Sequence, residues 1–246
     1  MSAPVEAFVP GQPEQPRFYE RMRRLSYVLT PPLFKIDSHG LEHVPAVGAV
    51  ILAGNHLSSF DILSVAMPIP RIVHFMAKAE YTKNKLAYTT FVRLESFFVR
   101  RGEGDMEAIR NALAVLKAQQ LLFIYPEGHR TESHAMIKAH EGLALIAYKS
   151  GAPVIPVATW GSEYVTKGGR LGPFRPTIHV HYGQPLQFTP AGKRATREEL
   201  QSATETIMRA IAAMLPPRYR GVYGDVIVPV QPTPAVATSD LETTTR

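Results

Sequence analysis

The seven residues Asn55-His56-Leu57-Ser58-Ser59-Phe60-Asp61 follow an apolar run at 49–53 and Gly54, and they hold a pair of side chains suited to moving a proton. Imidazole takes up a proton near neutral pH and so can serve as a general base. A carboxylate on its other ring nitrogen fixes the tautomer and stabilises the imidazolium that forms. His56 and Asp61 are five positions apart, about 140° out of phase on a continuous helix. They meet only if His56 lies before a helix and the chain turns back over Asp61, with Ser58 as the N-cap of that turn. The same residues also fit a purely structural pattern. Ser58-x-x-Asp61 reads as a capping box, with Asp61 favoured by the helix dipole. Spacing alone does not choose between the two readings.

A second polar loop, Pro126-Glu127-Gly128-His129-Arg130-Thr131, follows the apolar run 121–125. A rigid turn that holds Glu127 and Arg130 at a strand end suits a polar or phosphorylated ligand, because the planar guanidinium donates two parallel hydrogen bonds to phosphate. It equally fits a surface turn with an internal ion pair. Third comes Phe97-Phe98-Val99-Arg100-Arg101-Gly102. If the strand continues, its adjacent arginines point to opposite sides, so at most one faces a shared site, and Arg100 reads as a solvated surface charge. Fourth is Ala152-Pro153-Val154-Ile155-Pro156-Val157, a strand whose prolines remove two backbone donors.

These loops need a scaffold. Residues 17–29 carry a helical stripe of Phe18, Met22, Leu25, Val28 and Leu29, flanked by Arg17, Arg21, Arg23 and Arg24 and stopped by Pro31 and Pro32. Strands are predicted at 49–53, 72–76, 97–99, 121–125, 154–159 and 177–182, the last a half-exposed edge strand from its alternation TIHVHY. Helices are predicted over 58–67, near 80–92, from an Asp105 cap to 118 with Met106, Ile109, Leu113 and Leu116 on one face, near 141–149 and over 197–214. Strands alternating with helices define a single α/β domain with a mixed, largely parallel sheet flanked by helices. In such sheets chemistry collects at the strands' carboxyl ends, where these loops lie. Residues 1–15 read as a flexible arm, 16–225 as the domain and 226–246, rich in Pro and Thr, as a disordered tail.

Composition narrows the function classes. The chain of 246 residues has 45% hydrophobic and 20% charged residues, ordinary globular proportions that exclude collagen-like, coiled-coil and wholly disordered chains. It has no cysteine, which removes disulfide scaffolds, zinc ribbons, iron–sulfur sites and thiolate nucleophiles. Lys and Arg number 27 against 21 Asp and Glu, a net charge of +6 that favours anionic partners. No apolar run reaches the roughly 20 residues of a membrane-spanning helix. The N-terminus lacks the charged start and apolar core of a signal peptide. Nucleic acid is not expected as a partner, since the arginines are spread over separate elements and no binding motif is present. The histidines at 39, 43, 74, 179 and 181 have no metal-ligand company in the sequence and read as surface or core residues, so no metal is expected.

Taken in order, the four blocks resemble the glycerolipid acyltransferase family, specifically the 1-acylglycerol-3-phosphate acyltransferases, over about 35–215. Asn55, His56 and Asp61 match its N-H-x4-D block. Arg101 and Gly102 match the end of its second block. Tyr125-Pro126-Glu127-Gly128-His129-Arg130 matches F-P-E-G-T-R, and Val154–Val157 with Pro156 matches its V-I-P-V strand. The chain departs from the pattern at Glu95 or Ser96, where the second block often begins with glycine. It departs again at His129, where Thr is usual, and at His140-Glu141-Gly142 where Lys-x-Gly is common. The resemblance implies transfer of an acyl group from a thioester, on coenzyme A or acyl carrier protein, to the free hydroxyl of a lysophospholipid, without a cofactor. His56 is then the general base, Asp61 its partner, and Asn55, Ser58, Arg101, Glu127, Gly128, Arg130 and Pro156 the substrate-binding set, with Arg101 on the acceptor phosphate. Other acceptors in the same class are glycerol 3-phosphate, a lysophospholipid with a larger head group and a lyso-aminolipid; a non-catalytic lipid-binding relative is the alternative outside it. Long-chain substrates imply a peripheral place at the cytoplasmic face of the cell membrane. The 17–29 helix has the apolar face and arginines of an interfacial anchor.

Overall fold

The computed structural model describes residues 15–99, 105–130, 133–167, 170–171 and 175–224. The expected arm up to residue 14 and the tail over 226–246 lie outside them. In chain order the elements are α1 (Gln15–Leu29), β1 (Lys35–His39), β2 (Val50–Gly54), α2 (Asp61–Ala66), β3 (Val73–Lys78), α3 (Lys85–Arg93), β4 (Ser96–Val99), α4 (Met106–Lys117), β5 (Leu121–Ile124), α5 (Gly142–Ser150), β6 (Val154–Trp160), the short ribbon β7 (Thr166–Lys167) and β8 (Arg170–Leu171), β9 (Thr177–Tyr182) and α6 (Arg197–Met214).

Seven strands form one sheet in the order β1-β9-β6-β2-β5-β3-β4. Every neighbouring pair is parallel except β6 with β9. The central strands are apolar throughout because both faces are covered. On β2, Ile51 and Ala53 pack into a core with α4, α5 and α6, while Val50 and Leu52 pack on the opposite side with Val65, Ile69 and Phe34. Leu122 and Ile124 against Leu121 and Phe123 repeat that alternation on β5.

Local signals fix several elements. Asp105 accepts from the N–H groups of Glu107 and Ala108 at 3.0 and 3.1 Å and starts α4. Thr196 and Glu199 close a reciprocal capping box at the head of α6, whose span agrees with the sequence reading. Elsewhere the structure corrects that reading. β9 is not an edge strand, because β1 lies outside it in parallel register, Asp37 opposite His179. The alternation in β9 comes from one face on the core and one half-open face. β1 itself, KIDSH, is mostly exposed and carries no apolar period to detect.

The helix expected near 80–92 is a 3-10 turn over Ala79–Lys83 followed by α3, divided by Asn84, whose side-chain oxygen accepts from the N–H of Leu86 and of Ala87. Met106, expected on the inner face of α4, is exposed, and Ala108, Ala112, Val115 and Leu116 are the buried set. In α1 the buried residues are Tyr19 and Ser26, whereas Leu25, Val28 and Leu29 are exposed. Glu95 has a φ of 60°, a left-handed backbone, and so occupies the place where the resembled pattern has glycine.

Candidate active site

β2 through β6 run parallel, so the loops leaving β2, β5 and β6 gather at one end of the sheet. Just beyond the β2–β6 ladder, the Asn55 side chain continues it. Its amide donates to the Thr159 carbonyl and its carbonyl accepts the Thr159 N–H, both at 2.8 Å. Asn55 is buried, and this pairing fixes where the loop departs.

His56 then leaves the strand before α2 begins. Asp61, at the first position of α2, folds its fully buried carboxylate back over the loop. Asp61 Oδ2 accepts the N–H of Leu57 at 2.7 Å and of Ser58 at 2.8 Å, and lies 2.9 Å from His56 Nδ1. The two side chains separated by five positions therefore meet, and the turn that joins them is built from Asp61's own hydrogen bonds. Ser58 is not the N-cap. The cap position is Phe60, with no side-chain bond, and the Ser58 hydroxyl instead accepts the Phe60 N–H at 3.3 Å. A carboxylate only accepts, so the Nδ1 proton belongs to the pair and Nε2 is left to exchange protons. The His56 side chain is 15% exposed against 0% for Asp61, an accessible ring on a sealed carboxylate. Tyr125 stacks on that ring at 3.9 Å between centroids and 14° between planes, which holds the imidazole's orientation.

The fourth acceptor interaction of Asp61 comes from a residue that the sequence reading missed. The Ser162 hydroxyl donates to Asp61 Oδ1. It arrives there through a tight turn at the end of β6, where Gly161 has a φ of 91° and any Cβ would stand 2.3 Å from the Thr177 carbonyl oxygen. Glu163 braces the turn, accepting the Gly161 N–H at 2.9 Å and the Tyr219 hydroxyl. A polar pair directly after a strand's carboxyl end was the available signal, the same one that singled out the β2 and β5 loops.

Glu127 is 2% exposed and spends both oxygens on main chain. Oε1 accepts the N–H of His56 at 3.3 Å and Oε2 that of Ile137 at 3.0 Å. Burial pushes its carboxyl up to about 7, against the pull of those two amide bonds and with a further push from the Asp61 charge. Gly128 beside it has a φ of 75° and lies against the His140 ring. Arg130 is exposed and donates through Nη1 to the Ser59 hydroxyl at 2.7 Å, linking the β5 and β2 loops. Pro156 is buried inside β6 opposite Ala53, below the site. Arg101 lies outside the described residues, as do Arg100, Gly102 and Thr131. The structure thus brings His56, Asp61, Ser58, Glu127 and Arg130 together, and gives Asn55 and Glu127 backbone partners.

Two of the histidines outside the site have local partners. His74 is buried on the Glu95 carbonyl, with its pKa lowered to about 4 by burial, and His179 lies 3.0 Å from Asp37. Among the described residues no group of three His, Cys, Asp or Glu side chains is set to hold a metal ion.

This arrangement can deprotonate a hydroxyl, and comparison with known proteins gives the class. A family model described as "Acyltransferase" matches residues 35–160, half of the chain and the whole stretch from β1 through β6. The chain belongs to the acyltransferase family. Among its relatives is a 1-acyl-sn-glycerol-3-phosphate acyltransferase of Bacillus subtilis, 26% identical over 72% of this chain and 86% of that one. Another of the same name, from Pseudomonas aeruginosa, is 25% identical over 76% and 72%. A lyso-ornithine lipid O-acyltransferase of Pseudomonas aeruginosa is 33% identical over shorter shares, 44% and 42%. The fold is also that of the 1-acyl-sn-glycerophosphate acyltransferase from Thermotoga maritima, with a TM-score of 0.58 at 24% identity, covering 79% of this chain and 75% of that one.

Proposed function

We propose that the chain moves a fatty acyl group from a thioester, on coenzyme A or acyl carrier protein, to the free hydroxyl of 1-acylglycerol 3-phosphate, with His56 as general base. The observation that carries this reading is the 2.9 Å contact between His56 Nδ1 and the buried Asp61 carboxylate, which leaves Nε2 of a partly exposed ring free to act. His56 Nε2 takes the proton of the acceptor hydroxyl as that oxygen attacks the thioester carbonyl. The tetrahedral intermediate collapses, the carbon–sulfur bond breaks, and the departing thiolate takes the proton from the imidazolium. The products are phosphatidic acid and a free thiol. The acceptor hydroxyl is itself the nucleophile, which suits a chain without cysteine. Arg101 and Arg130 take the acceptor phosphate. Glu127 and Asn55 act behind them by fixing the loops.

The chain works at the cytoplasmic membrane surface, held peripherally by α1. Leu25, Val28 and Leu29 face away from the domain there, and Arg17, Arg21 and Arg24 are exposed beside them. No described helix is long and apolar enough to cross a bilayer.

The test is thiol release from acyl-coenzyme A and from acyl carrier protein against an acceptor panel, with products read by mass spectrometry. The panel contains 1-acylglycerol 3-phosphate, glycerol 3-phosphate, other lysophospholipids and lyso-ornithine lipid. Phosphatidic acid as the main product supports the reading. Product from lyso-ornithine lipid alone favours the second reading, an aminolipid acyltransferase, which the 33% identical relative motivates. No thiol release with any acceptor refutes both.

A further inference from the structure

Two groups of exposed large apolar side chains, on α1 and around the start of α3, lie toward one end of the sheet. β1 begins at the end of the sheet where the parallel strands finish, because β9 runs against β6 and β1 runs with β9. The last turn of α1, with Val28 and Leu29, therefore leads into the site-bearing end. The turn over Ala79–Lys83 and the first turn of α3 leave the carboxyl end of β3 at that same end. They carry Tyr81, 43% exposed, and Leu86, 77% exposed. Val47, 81% exposed, precedes β2 and lies at the opposite end.

Leu86 is held outward by a stiff support. Asn84 caps α3 through the N–H of Leu86 itself, at 3.0 Å, and on the inner side Phe91 packs against Tyr81 and Phe75 while Tyr88 stacks on Phe98. Lys83 and Lys85 precede it, both exposed, and Glu80 is the one acidic side chain from 78 to 86, 4.0 Å from Lys78. α1 packs beside α3, with the Arg93 guanidinium 5.5 Å from the Phe18 ring centre. An apolar tip preceded by lysines complements an anionic bilayer, whose negative surface attracts the cations while its acyl region takes the leucine.

We propose that the segment 79–86 is a second lipid-contact element, which together with α1 seats the site-bearing end of the sheet on an anionic membrane. The inference rests on the interfacial reading of α1 and extends it to a separate part of the chain. Two footings at the rim of the site set the depth and tilt at which His56 meets a lysophospholipid in the leaflet.

The experiment is co-sedimentation of the full chain with phosphatidylglycerol vesicles and with phosphatidylcholine vesicles at low salt. The variants are Leu86→Ser, Tyr81→Ser with Leu86→Ser, Val28→Ser and the control Val47→Ser. Leu86→Ser keeps the α3 cap, so circular dichroism and the thermal midpoint stay as in the parent, and transfer to a short-chain soluble acceptor is unchanged. Expected is binding of the parent to phosphatidylglycerol and a fall of about tenfold in the partition coefficient for Leu86→Ser. The fall is larger for the double variant and absent for Val47→Ser. Full binding by Leu86→Ser while Val28→Ser is impaired overturns the inference and leaves α1 docking intact. Failure of the parent to bind any vesicle overturns both. Equal binding to both lipids overturns the anionic assignment. A concentration-dependent dimer lost in Leu86→Ser, with vesicle binding unchanged, identifies the surface as a self-association face and also overturns the proposal.

Discussion

Replacing Glu127 by glutamine tests whether this carboxyl is a buried structural strut under a proton-transfer site. Its pKa rises from the ordinary 4.5 to about 7, chiefly through burial. The folded state therefore holds the proton more tightly than the unfolded chain does, and unfolding between those values releases it. By linkage, raising the pH favours unfolding. The group costs nothing below about pH 4.5, where both states are protonated, and its cost is complete above about pH 7. The separation corresponds to about 3 kcal/mol at some 1.4 kcal/mol per unit. A glutamine side chain is close in shape to the protonated acid and does not titrate. The assay is urea unfolding of parent and Glu127→Gln across pH 4.5 to 8, each pH taken as a difference so that shared groups cancel. We expect the variant to start about 1–3 kcal/mol below the parent at the acid end, because one buried N–H loses its acceptor, and to gain on the parent by about 3 kcal/mol as the pH rises. A difference that stays flat over that range would mean that Glu127 is solvated or already ionised in the fold, and the argument from burial would fail. The same variant should be slower in acyl transfer, because the amide nitrogen cannot accept and either the His56 or the Ile137 N–H loses its acceptor.

Three further outcomes follow from the site. His56→Ala should lower turnover by about 10²–10⁴-fold with the fold retained, the usual share of a general base; wild-type turnover would remove the mechanism. Ser162→Ala removes one of four donors to the Asp61 carboxylate, so kcat should drop by roughly tenfold with little change in KM, since a buried bond to a charged group is worth about 1.5–3 kcal/mol. Ser162→Thr should restore much of it, and an alanine variant with the parental kcat and pH profile would make Ser162 a bystander. Arg130→Ala should mainly raise KM for a phosphate-bearing acceptor and leave KM for the thioester near its parental value. The converse pattern would move Arg130 to the donor side.

The apolar runs of β2 and β5, the Asp105 cap and the amphipathic period of α6 are local signals, and the sequence by itself determined those elements and the α/β alternation. It also determined which loops leave the strands where chemistry collects, hence the candidacy of His56, Asp61, Glu127 and Arg130. What it left open was every question of what lies opposite. His56 and Asp61 at five positions fitted a capping box as well as a pair in direct contact, and only the chain folding back under the Leu57 and Ser58 amides brought the two side chains together. Ser162 is 101 residues from Asp61, a distance over which spacing carries no information. Glu127 looked like a ligand contact until burial gave both its oxygens to main-chain N–H groups. β1 has too little apolar period to announce itself, and its pairing turned β9 from an edge into an interior strand. The stripe on α1 was visible, but the side facing the domain was set by Tyr19 reaching the Val73 N–H at 3.1 Å and by Tyr27 donating to the Met67 carbonyl at 2.5 Å. Periodicity shows that a helix has an apolar side. Which of its sides meets protein depends on partners brought close by the rest of the fold.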